Sequence, residues 1–493
     1  MAKITKIAIA NRGEVAVRII RACQELGIQT VLLHSEPDVE SLAYRISDEK
    51  ICIGPAPTPQ SYLNIESNIH AAKAVGAQAI HPGFGFLSEN AEFAKQCKLN
   101  SICFIGPSAE SIELFGDKIS AKNLVQVAGV PVIPGYQGED QSMERLQEEA
   151  EKIGYPLMVK VAAGGGGRGL RVVNKSKDLV EQVEAAKREG ITGFGSDQVF
   201  LEKYLNRAKH IEVQIFGDCT GNIFHLYERE CSVQRRHQKV IEEAGAADLS
   251  DDMRETICGA AVKIAHQAKY RGAGTIEFLL QDGEYYFLEM NTRLQVEHTV
   301  TEMVLGVDLV KAQIMTAQEK SLLWDQDQLA VRGHSIECRL YAEDPYRGGL
   351  PSTGKIGHLY FPMGWGRRFE VGIEAGDEIT SYYDPMIAKI VVYDENRPRA
   401  IEKMITTLQD CIIFGVKTNI PYLIQLLSHP EFVEGSMNTK MIETYFPNGL
   451  TSQPYSQKET QIAKLVSKKL SEKIDFGDSD FVCSNPFYGM EMN

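Results

Sequence analysis

The sequence predicts an α/β and α+β protein that begins with a doubly wound parallel sheet. Near the N-terminus, an apolar strand at 6–10 is followed by an amphipathic helix and a second strand at 30–33. A strand–helix–strand unit implies parallel strands with helices on the faces of the sheet. Towards the C-terminus, 332–445 combines several β-type segments with one helical stretch at 399–412, which predicts an α+β domain.

The chain of 493 residues is long enough for about three domains. Its 43% hydrophobic and 24% charged residues are ordinary for a globular protein. The formal net charge of −14 argues against general binding to nucleic acid or to a membrane surface. An anionic substrate must therefore be bound by a local cluster of basic residues.

The ten cysteines lack the paired spacing of a metal site, and most lie in apolar segments, as reduced cysteines of a cytoplasmic protein do. No run of about 18 apolar residues predicts a membrane helix. The N-terminal residues Met1–Ile4 lack the layout of a signal peptide. We therefore expect a cytoplasmic protein that binds neither nucleic acid nor membrane.

Two further strands of the N-terminal sheet are predicted at 77–80 and 101–105. The segment 81–90 between them contains two glycines and a proline, and Ser88 is predicted to cap the helix that follows. This segment lies at the carboxyl end of a strand, where open α/β sheets bind ligands. A structural turn explains the same residues equally well. The turn at 11–13 has a single glycine and is not a dinucleotide fingerprint.

A glycine-rich segment, 163–169, lies between a strand at 156–161 and a strand at 170–173, with no helix after it. Its glycines match G-x-G-x-x-G, but Rossmann and P-loop sites bind phosphates at a helix N-terminus. The strand–loop–strand order instead predicts a flexible hairpin whose N–H groups close over phosphates, with Lys160 reaching their oxygens. A glycine linker is the alternative.

Positive charge is concentrated at 228–239, after two predicted strands at 200–205 and 210–215. If this segment is extended, His237 and Lys239 project from the same face. Arginine and lysine beside phosphate chemistry neutralise developing charge, which predicts an oxyanion pocket. A solvated charged strand is the alternative.

The segments 274–280 and 285–290 are predicted to form a hairpin in which Glu277 and Glu289 interrupt apolar strands. A two-residue Asp-Gly turn would place Glu277 opposite Leu288, whereas a three-residue loop or a β-bulge would place it opposite Glu289. Two adjacent carboxylates repel each other unless a cation such as Mg²⁺ bridges them. We therefore predict the longer loop or the bulge, together with a metal site.

Polar side chains continue beyond this hairpin at every other position. If the chain stays extended, five of them project to one side: Glu289, Asn291, Arg293, Gln295 and Glu297. Burying such a row is costly without a metal or a charged ligand. Glu277, Glu289 and Asn291 would supply oxygen ligands for one or two Mg²⁺ ions that bridge ATP phosphates. The alternative is a strand that ends at Met290, followed by a solvated loop.

Together these segments resemble the ATP-grasp superfamily and, within it, the biotin carboxylases. The resemblance extends from about Ile4 to about Tyr445. Motifs in a fixed order carry it: Asn11-Arg12-Gly13-Glu14, residues 81–90, Gly116-Asp117-Lys118, residues 164–169, Arg235-Arg236-His237-Gln238-Lys239, Gly272-Ala273-Gly274-Thr275, residues 289–298 and Glu337-Cys338-Arg339. The most specific motif is Glu-Met-Asn-Thr-Arg-Leu-Gln-Val-Glu-His at 289–298.

The resemblance implies an ATP-grasp fold with four parts. These are an N-terminal Rossmann-like domain (1–115), an ATP-grasp domain (116–331), a biotin carboxylase C-terminal domain (332–446) and a polar tail (447–493). A mobile glycine-loop lid would occupy about 132–204. We expect the tail to be an extension without fixed structure, with a docking helix as the alternative.

The resemblance also implies roles for individual residues. The ATP-binding set is Lys118, Lys160, Gly166, Gly167, Glu202, Lys203, Tyr204, Leu205, His210, Gln234, His237, Glu277 and Glu289. The Mg²⁺ or Mn²⁺ ligands are Glu277, Glu289 and Asn291. The bicarbonate pocket is formed by Lys239, Arg293, Gln295 and Val296. Glu297 is implied as the base that deprotonates bicarbonate, and Arg339 as the group that stabilises the ureido oxygen of biotin.

By resemblance, bicarbonate attacks the γ-phosphate of ATP to give carboxyphosphate, which breaks down to CO2 and phosphate. The phosphate then takes the N1′ proton of biotin, and the nitrogen attacks CO2. No biotin-attachment sequence occurs in the chain. We therefore expect a separate biotin carboxyl carrier protein and a separate carboxyltransferase. The resemblance also implies a homodimer. Acetyl-CoA, for fatty acid synthesis, is the expected acceptor; another acyl-CoA or pyruvate is the alternative.

Two positions depart from the family pattern. Ala163 stands where the family often has glycine, and Phe84 stands where many relatives have tyrosine, so a hydroxyl contact to biotin is absent there. Two other functions are alternatives. A different ATP-grasp carboxylate–amine ligase would not need residues 293–297 together with Arg339. A regulatory nucleotide-binding subunit would be expected to lack Glu297 or a metal carboxylate.

Overall fold

The computed structural model describes residues 4–161, 170–451 and 461. Its N-terminal part is a five-stranded sheet, in which every neighbouring pair is parallel, in the order β3-β2-β1-β4-β5. The elements are β1 (Lys6–Ile9), α1 (Gly13–Glu25), β2 (Gln29–Ser35), α2 (Leu42–Ile46), β3 (Glu49–Gly54), α3 (Ile65–Ala74), β4 (Ala79–His81), α4 (Ala91–Leu99), β5 (Cys103–Phe104) and α5 (Ala109–Gly116).

Alternate residues of β1 pack on opposite faces of this sheet. Ile7 and Ile9 join a buried cluster with α1, whereas Ala8 joins one with α3 and α4. The predicted doubly wound parallel sheet is therefore confirmed. The predicted cap of α4 is wrong: Asn90, not Ser88, accepts the backbone N–H of Phe93 at 2.8 Å. The backbone N–H of Ser88 instead closes a turn within the loop, so the helix begins later.

The central part contains two antiparallel sheets. Its elements are α6 (Lys118–Val127), β6 (Gly135–Tyr136), α7 (Met143–Ile153), β7 (Leu157–Val161), β8 (Leu170–Val173), α8 (Leu179–Phe194), β9 (Val199–Lys203), β10 (Lys209–Gly217), β11 (Ile223–Arg235), β12 (Gln238–Ala244), α9 (Asp251–Gln267), β13 (Gly272–Gln281), β14 (Glu284–Asn291), α10 (His298–Leu305) and α11 (Leu309–Ala317). The smaller sheet, β6-β9-β7-β8, packs against α7 and α8 and corresponds to the predicted lid. The motion of this lid stays a prediction.

The strands on either side of the glycine-rich segment pair with each other. β7 and β8 are antiparallel, with Lys160 opposite Leu170, as predicted for a hairpin. The glycine loop itself, including Gly166, Gly167 and Ala163, lies outside the described residues.

The C-terminal part completes the larger sheet. Its elements are β15 (His334–Tyr341), β16 (Glu343–Asp344), β17 (Leu350–Pro351), β18 (Gly354–Lys355), β19 (His358–Tyr360), β20 (Arg367–Val371), β21 (Glu378–Ile379), β22 (Met386–Asp394), α12 (Arg397–Asp410), β23 (Ile412–Phe414), α13 (Ile420–Leu427), α14 (Pro430–Val433) and α15 (Met441–Tyr445). The eight-stranded sheet runs β14-β13-β10-β11-β12-β15-β22-β20. It is continuous across the boundary predicted at residue 331, because β12 pairs with β15. The division into domains stays a prediction.

Among helices of the described residues, none is long and apolar enough to span a bilayer.

Candidate active site

A tight turn joins β13 to β14. Gln281 pairs with Glu284 across two residues, Asp282 and Gly283, which both have positive φ angles of 55° and 78°. This backbone matches the right-handed twist of the two strands, and an Asp-Gly pair adopts it readily. A three-residue loop, one of the two predicted routes to the required register, is therefore absent from this hairpin.

A β-bulge supplies the register instead. Phe278 pairs with Phe287, but Glu277 pairs with Glu289, so that Leu288 is an extra residue in β14. The predicted bulge is confirmed, and it places the two carboxylates directly opposite each other. Without the extra residue, Glu277 would face Leu288 and its carboxylate would have no acidic neighbour across the hairpin.

The two carboxylates differ in their electrostatic surroundings. Burial raises the pKa of Glu277, but Lys239 and His210 outweigh burial and bring the pKa far below its ordinary value. Desolvation raises the pKa of Glu289, and the negative charge of Glu277 raises it further. The side chain of Glu289 is nevertheless accessible from the cleft, unlike that of Glu277. This pair therefore attracts a cation at its open side.

The donor set fits a magnesium or manganese ion. Asn291 lies on the same face as the two carboxylates, and its amide donates to Glu277 at 2.9 Å. Two carboxylates and an amide oxygen are ligands that these hard cations prefer. A second group, formed by His210, Glu212 and Glu277, has ligand atoms within 4.8 Å of one another. Lys239 already contacts both carboxylates of that group, which leaves the Glu277–Glu289 side as the candidate metal site.

Lys239 is surrounded by three carboxylates. Its ammonium donates to Glu277 at 2.8 Å, to Glu297 at 2.7 Å and, most closely, to Glu212. Burial lowers its pKa, but the three carboxylates outweigh burial and hold the pKa well above its ordinary value. Lys239 is therefore a permanent cation at the centre of an acidic cluster. Sequence reasoning did not identify Glu212, although a glutamate in the alternating strand β10 was the available signal.

Other basic residues of the segment 228–239 point away from Lys239, because the chain is extended up to Arg235 and again from Gln238 but turns between them. Arg236 and His237 form a two-residue turn with positive φ between β11 and β12. Arg235 turns away and pairs with Glu343 at 2.6 Å. Of this basic segment, Lys239 contacts all three carboxylates, and the buried Arg229 contacts one of them, Glu212, at 2.5 Å.

Glu297 is held between two cations. One carboxylate oxygen accepts from Lys239 at 2.7 Å, and the other accepts from Arg339 at 2.9 Å. Burial raises its pKa, but Lys239, Arg339 and Arg229 together bring the pKa well below its ordinary value. Glu297 is therefore ionised and able to accept a proton, and its two partners are the residues most able to bind an anion.

The predicted alternation of polar residues ends at Asn291, where β14 ends. The chain beyond is irregular yet buried, so the alternative of a solvated loop is also wrong: Gln295 is 4% exposed and Glu297 is fully buried. The side chains converge because Arg293 links them. Its guanidinium donates to Asn291 at 2.8 Å and to Gln295 at 3.0 Å. The carbonyl of Val296 accepts from Lys389 at 2.7 Å.

The loop at 81–90 reaches this site, which favours its interpretation as a functional loop over that of a structural turn. Glu89 accepts from the guanidinium of Arg293 at 2.9 Å and from the backbone N–H of Thr292 at 3.0 Å. Asn11 holds the loop by donating to the carbonyl oxygens of Pro82 and Phe84. Sequence reasoning did not link Glu89 to Arg293, which is 204 positions away.

The predicted nucleotide-binding residues border the same cleft. Glu202 is buried and accepts from both Lys160 and Lys122, a lysine that sequence reasoning missed although it follows Lys118 by one helical turn. Burial lowers the pKa of Lys118, Lys160 lowers it further, and Glu289 raises it. These charges lie near enough to one another to bind phosphates between the lid and the carboxylate pair.

The remaining residues of that prediction lie on or after β9, on β10 and β11, and in the turn that follows β11. Lys203 ends β9, and Tyr204 and Leu205 follow it. His210 receives a hydrogen bond from Gln234 at 2.7 Å and contacts Glu277 at 3.0 Å. His237 is exposed in its turn.

Comparisons with known proteins match the chain in three successive segments. Residues 3–112 match the family described as the N-terminal domain of biotin carboxylase. Residues 117–324 match the ATP-binding domain of the carbamoyl-phosphate synthase L chain, and residues 337–444 match the C-terminal domain of biotin carboxylase.

Individual relatives agree with these matches. The chain is 47% identical to a mitochondrial methylcrotonoyl-CoA carboxylase subunit alpha of Dictyostelium discoideum, over 95% of this chain and 68% of that subunit. It is 47% identical to a biotin carboxylase of Haemophilus influenzae, over 89% of this chain and 98% of that enzyme. Across the alpha subunits that it matches, the chain spans 60–68% of their length.

Among solved structures, the biotin carboxylase domain of a Hydrogenobacter thermophilus 2-oxoglutarate carboxylase has a TM-score of 0.86 and 43% identity. The match covers 92% of this chain and all of that domain. That domain was crystallised as a dimer with MgADP, ADP and bicarbonate.

Proposed function

The chain belongs to the biotin carboxylase family, and we propose that it carboxylates biotin on a separate carrier protein at the site around Glu297. It is an ATP-dependent carboxylating ligase that uses ATP, Mg²⁺ and carrier-bound biotin. The observation that carries the site assignment is Glu297, an ionised carboxylate held between Lys239 and Arg339 beside the Glu277–Glu289 pair.

Because two cations hold Glu297, its carboxylate is a weak base until bicarbonate takes the hydrogen bond of one of them. Bicarbonate is an anion and competes for the hydrogen bonds of Lys239 and Arg293. When Lys239 donates to bicarbonate, Glu297 loses a partner and its pKa rises towards the ordinary value. Glu297 then takes the bicarbonate proton, the resulting dianion attacks the γ-phosphate, and ADP leaves. Substrate binding and activation of the base are thus one event.

Each neighbouring group has a separate task. A metal ion bound by Glu277, Glu289 and Asn291 would neutralise charge on the phosphate oxygens. Lys118 and Lys160 hold the phosphates from the lid side, and Arg293 and Gln295 orient bicarbonate. Arg339 donates to the ureido oxygen of biotin as its nitrogen loses a proton, which stabilises the charge that develops there.

The direct test is ATP cleavage that requires both Mg²⁺ and bicarbonate and is stimulated by free biotin, together with formation of carboxybiotin from labelled bicarbonate. Turnover that does not depend on bicarbonate, or that biotin leaves unchanged, would contradict the proposed reaction and favour a different ATP-grasp ligase.

We propose acetyl-CoA as the carboxyl acceptor of the complete enzyme, and methylcrotonoyl-CoA as the second candidate. The second is supported by the match to the Dictyostelium subunit, which extends over 475 residues, whereas the match to the Haemophilus enzyme covers 441. Pyruvate is a third candidate, because a Rhizobium etli pyruvate carboxylase is 40% identical with a TM-score of 0.87. Purification with native partners, followed by assay on all three acceptors, decides among them.

A homodimer is also proposed. The loop before β20 exposes two large apolar side chains, Met363 and Trp365, which are 77% and 73% accessible. Large exposed apolar groups are typical of surfaces that are covered in an assembly. Sedimentation of the wild type and of a Trp365→Glu variant tests this surface: a dimeric wild type and a monomeric variant are expected.

Replacing Glu289 by glutamine is expected to raise the Mg²⁺ concentration for half-maximal ATP cleavage by about tenfold or more, the scale on which ligand contacts change metal affinity. The amide keeps the shape of the side chain but removes the charge that binds the ion. Titration of bound Mn²⁺ by electron paramagnetic resonance gives a reading independent of turnover. Glu284→Gln, on the same strand but at the exposed turn, is the control. An unchanged metal requirement would remove Glu289 from the ligand set.

A further inference from the structure

Two fully buried glutamates, Glu242 and Glu337, lie next to the site but have no role in the reaction described above. They are directly opposite each other on the antiparallel strands β12 and β15, so both side chains project from the same face of the sheet. Neither belongs to the proposed metal site or to the bicarbonate pocket. Opposite positions on neighbouring strands bring side chains into contact.

Each glutamate uses only one of its oxygens for a hydrogen bond. Glu242 accepts from the Nε of Arg339 at 2.6 Å, and Glu337 accepts from the hydroxyl of Thr299. The second oxygen of each is buried without a hydrogen-bond partner among the described residues. Such buried acceptors cost free energy unless they are satisfied. A proton between the two carboxyl groups would satisfy both.

Local charge supports this arrangement. Three cations, Arg339, Lys389 and Lys239, lie among four carboxylates, Glu14, Glu242, Glu297 and Glu337, and Lys239 is also shared with Glu212 and Glu277. Neighbouring carboxylates in a buried site do not both ionise without compensating charge. Burial raises the pKa of Glu242 to about 8, with Arg339 opposing and Glu337 reinforcing the effect. Burial raises the pKa of Glu337 to about 7, although Lys389 lowers it.

We propose that Glu242 and Glu337 share one proton and that this pair positions Arg339. The carboxylic acid of one donates to the carboxylate of the other, and the pair as a whole carries a single negative charge. That charge orients the Nε side of the guanidinium, which leaves its Nη2 free to point towards Glu297. The effect on catalysis rests on the proposed function, because it acts through the contact of Arg339 with biotin.

The proposal implies a pH dependence with a definite sign. At alkaline pH the pair loses its proton, and a second negative charge appears beside Arg339. The charged groups that face the pair or its neighbour Lys389 are Lys239 on β12, Arg339 on β15, Glu297, Lys389 and Glu14. Burial raises the pKa of Glu14 to about 7, so Glu14 also loses its proton as pH rises and adds negative charge in the same direction. The added charge weakens the positive field at the ureido oxygen, so kcat/KM for biotin is expected to fall as pH rises.

Infrared spectroscopy tests the shared proton without any substrate. At pH 7 the wild type is expected to show the C=O band of a buried carboxylic acid, and both Glu337→Gln and Glu242→Gln are expected to remove that same band. Glu230→Gln is the matched control, because Glu230 is also buried and burial raises its pKa to about 7, but it does not contact Arg339. If no band is lost in both variants, the shared proton is disproved, whether or not the protein carboxylates biotin.

The pH profile tests the positioning role. In Glu337→Gln the amide donates permanently to Glu242, as the shared proton does in the wild type. The variant should therefore keep kcat/KM for biotin within about threefold at pH 7, because one hydrogen bond replaces another. Its alkaline decline should move upwards by about one pH unit or more, because the titrating pair is gone. A common infrared band combined with an unchanged alkaline decline would show that the pair serves the fold alone.

Discussion

Replacing Glu297 by glutamine is expected to lower bicarbonate-dependent ATP cleavage by about 10²–10⁴-fold, the usual contribution of a positioned general base. The amide has nearly the same shape, but it cannot take the bicarbonate proton. It also presents an N–H group to Lys239 or to Arg339, where the wild type presents two acceptor oxygens. Steady-state kinetics with saturating ATP and varied bicarbonate measures the loss, and fluorescence titration with ATP measures binding, which should persist.

The control for Glu297 is again Glu230→Gln. Both carboxyl groups are buried, at 0% and 1% exposure, but Glu230 contacts Ser232 and Lys209 outside the bicarbonate pocket. Activity close to the wild type is expected for this control. If Glu297→Gln retained full carboxylation, another group would have to accept the proton, and the base assignment would be wrong.

Replacing Lys239 by methionine is expected to lower the free energy of unfolding by about 3–5 kcal/mol, because removing one member of a buried ionic group leaves the carboxylates with less compensating charge. Three carboxylates, Glu212, Glu277 and Glu297, would lose the cation that they share. ATP cleavage should fall below detection in the same variant, since the bicarbonate pocket loses its central positive charge. Thermal unfolding followed by circular dichroism gives the first measurement.

The effect of Lys239→Met on stability should depend on pH. In the wild type, the pKa values of Glu277 and Glu297 are lowered, so their contribution to stability is present above the unfolded value of about 4.3 and lost as pH falls. In the variant, desolvation and mutual repulsion raise the pKa values of the same carboxylates, so stability falls as pH rises above about 4.3. The difference in melting temperature should therefore be largest at pH 7 and shrink towards pH 5.

Lys403→Met provides the comparison for Lys239. The two lysine side chains are 15% and 12% exposed, but Lys403 pairs with one partly exposed carboxylate, Asp394, at 2.8 Å. Its replacement should cost far less and show little change between pH 5 and pH 7. A melting-temperature difference for Lys239→Met that stays constant over this range would mean that apolar packing, and not charge compensation, explains the loss.

Much of the fold could be predicted from the sequence because its signals are local. Alternation of apolar residues over a few positions identifies β7, β8 and β10, and an Asp-Gly pair identifies the turn at Asp282. The N-terminal parallel sheet follows from the order of strand and helix patterns. Even the bulge at Leu288 could be anticipated, because a tight turn alone would separate Glu277 from Glu289. Local signals gave the wrong helix cap at Ser88, because Asn90 is an equally suitable cap, and they did not predict the turn at 236–237.

The sequence by itself predicted which residues carry the chemistry: the carboxylates of the hairpin, Lys239, Arg293, Glu297 and Arg339. The tertiary structure decided how they are connected. Lys239 contacts three carboxylates, which come from β10, from β13 and from the segment after β14. Glu89 reaches Arg293 from the N-terminal sheet. Glu242 faces Glu337 within a sheet that continues into the C-terminal part. The physical reason is distance along the chain. Periodicity and turn chemistry act over a few residues, whereas the pKa of Glu297 is set by charges that only folding brings within about 3 Å.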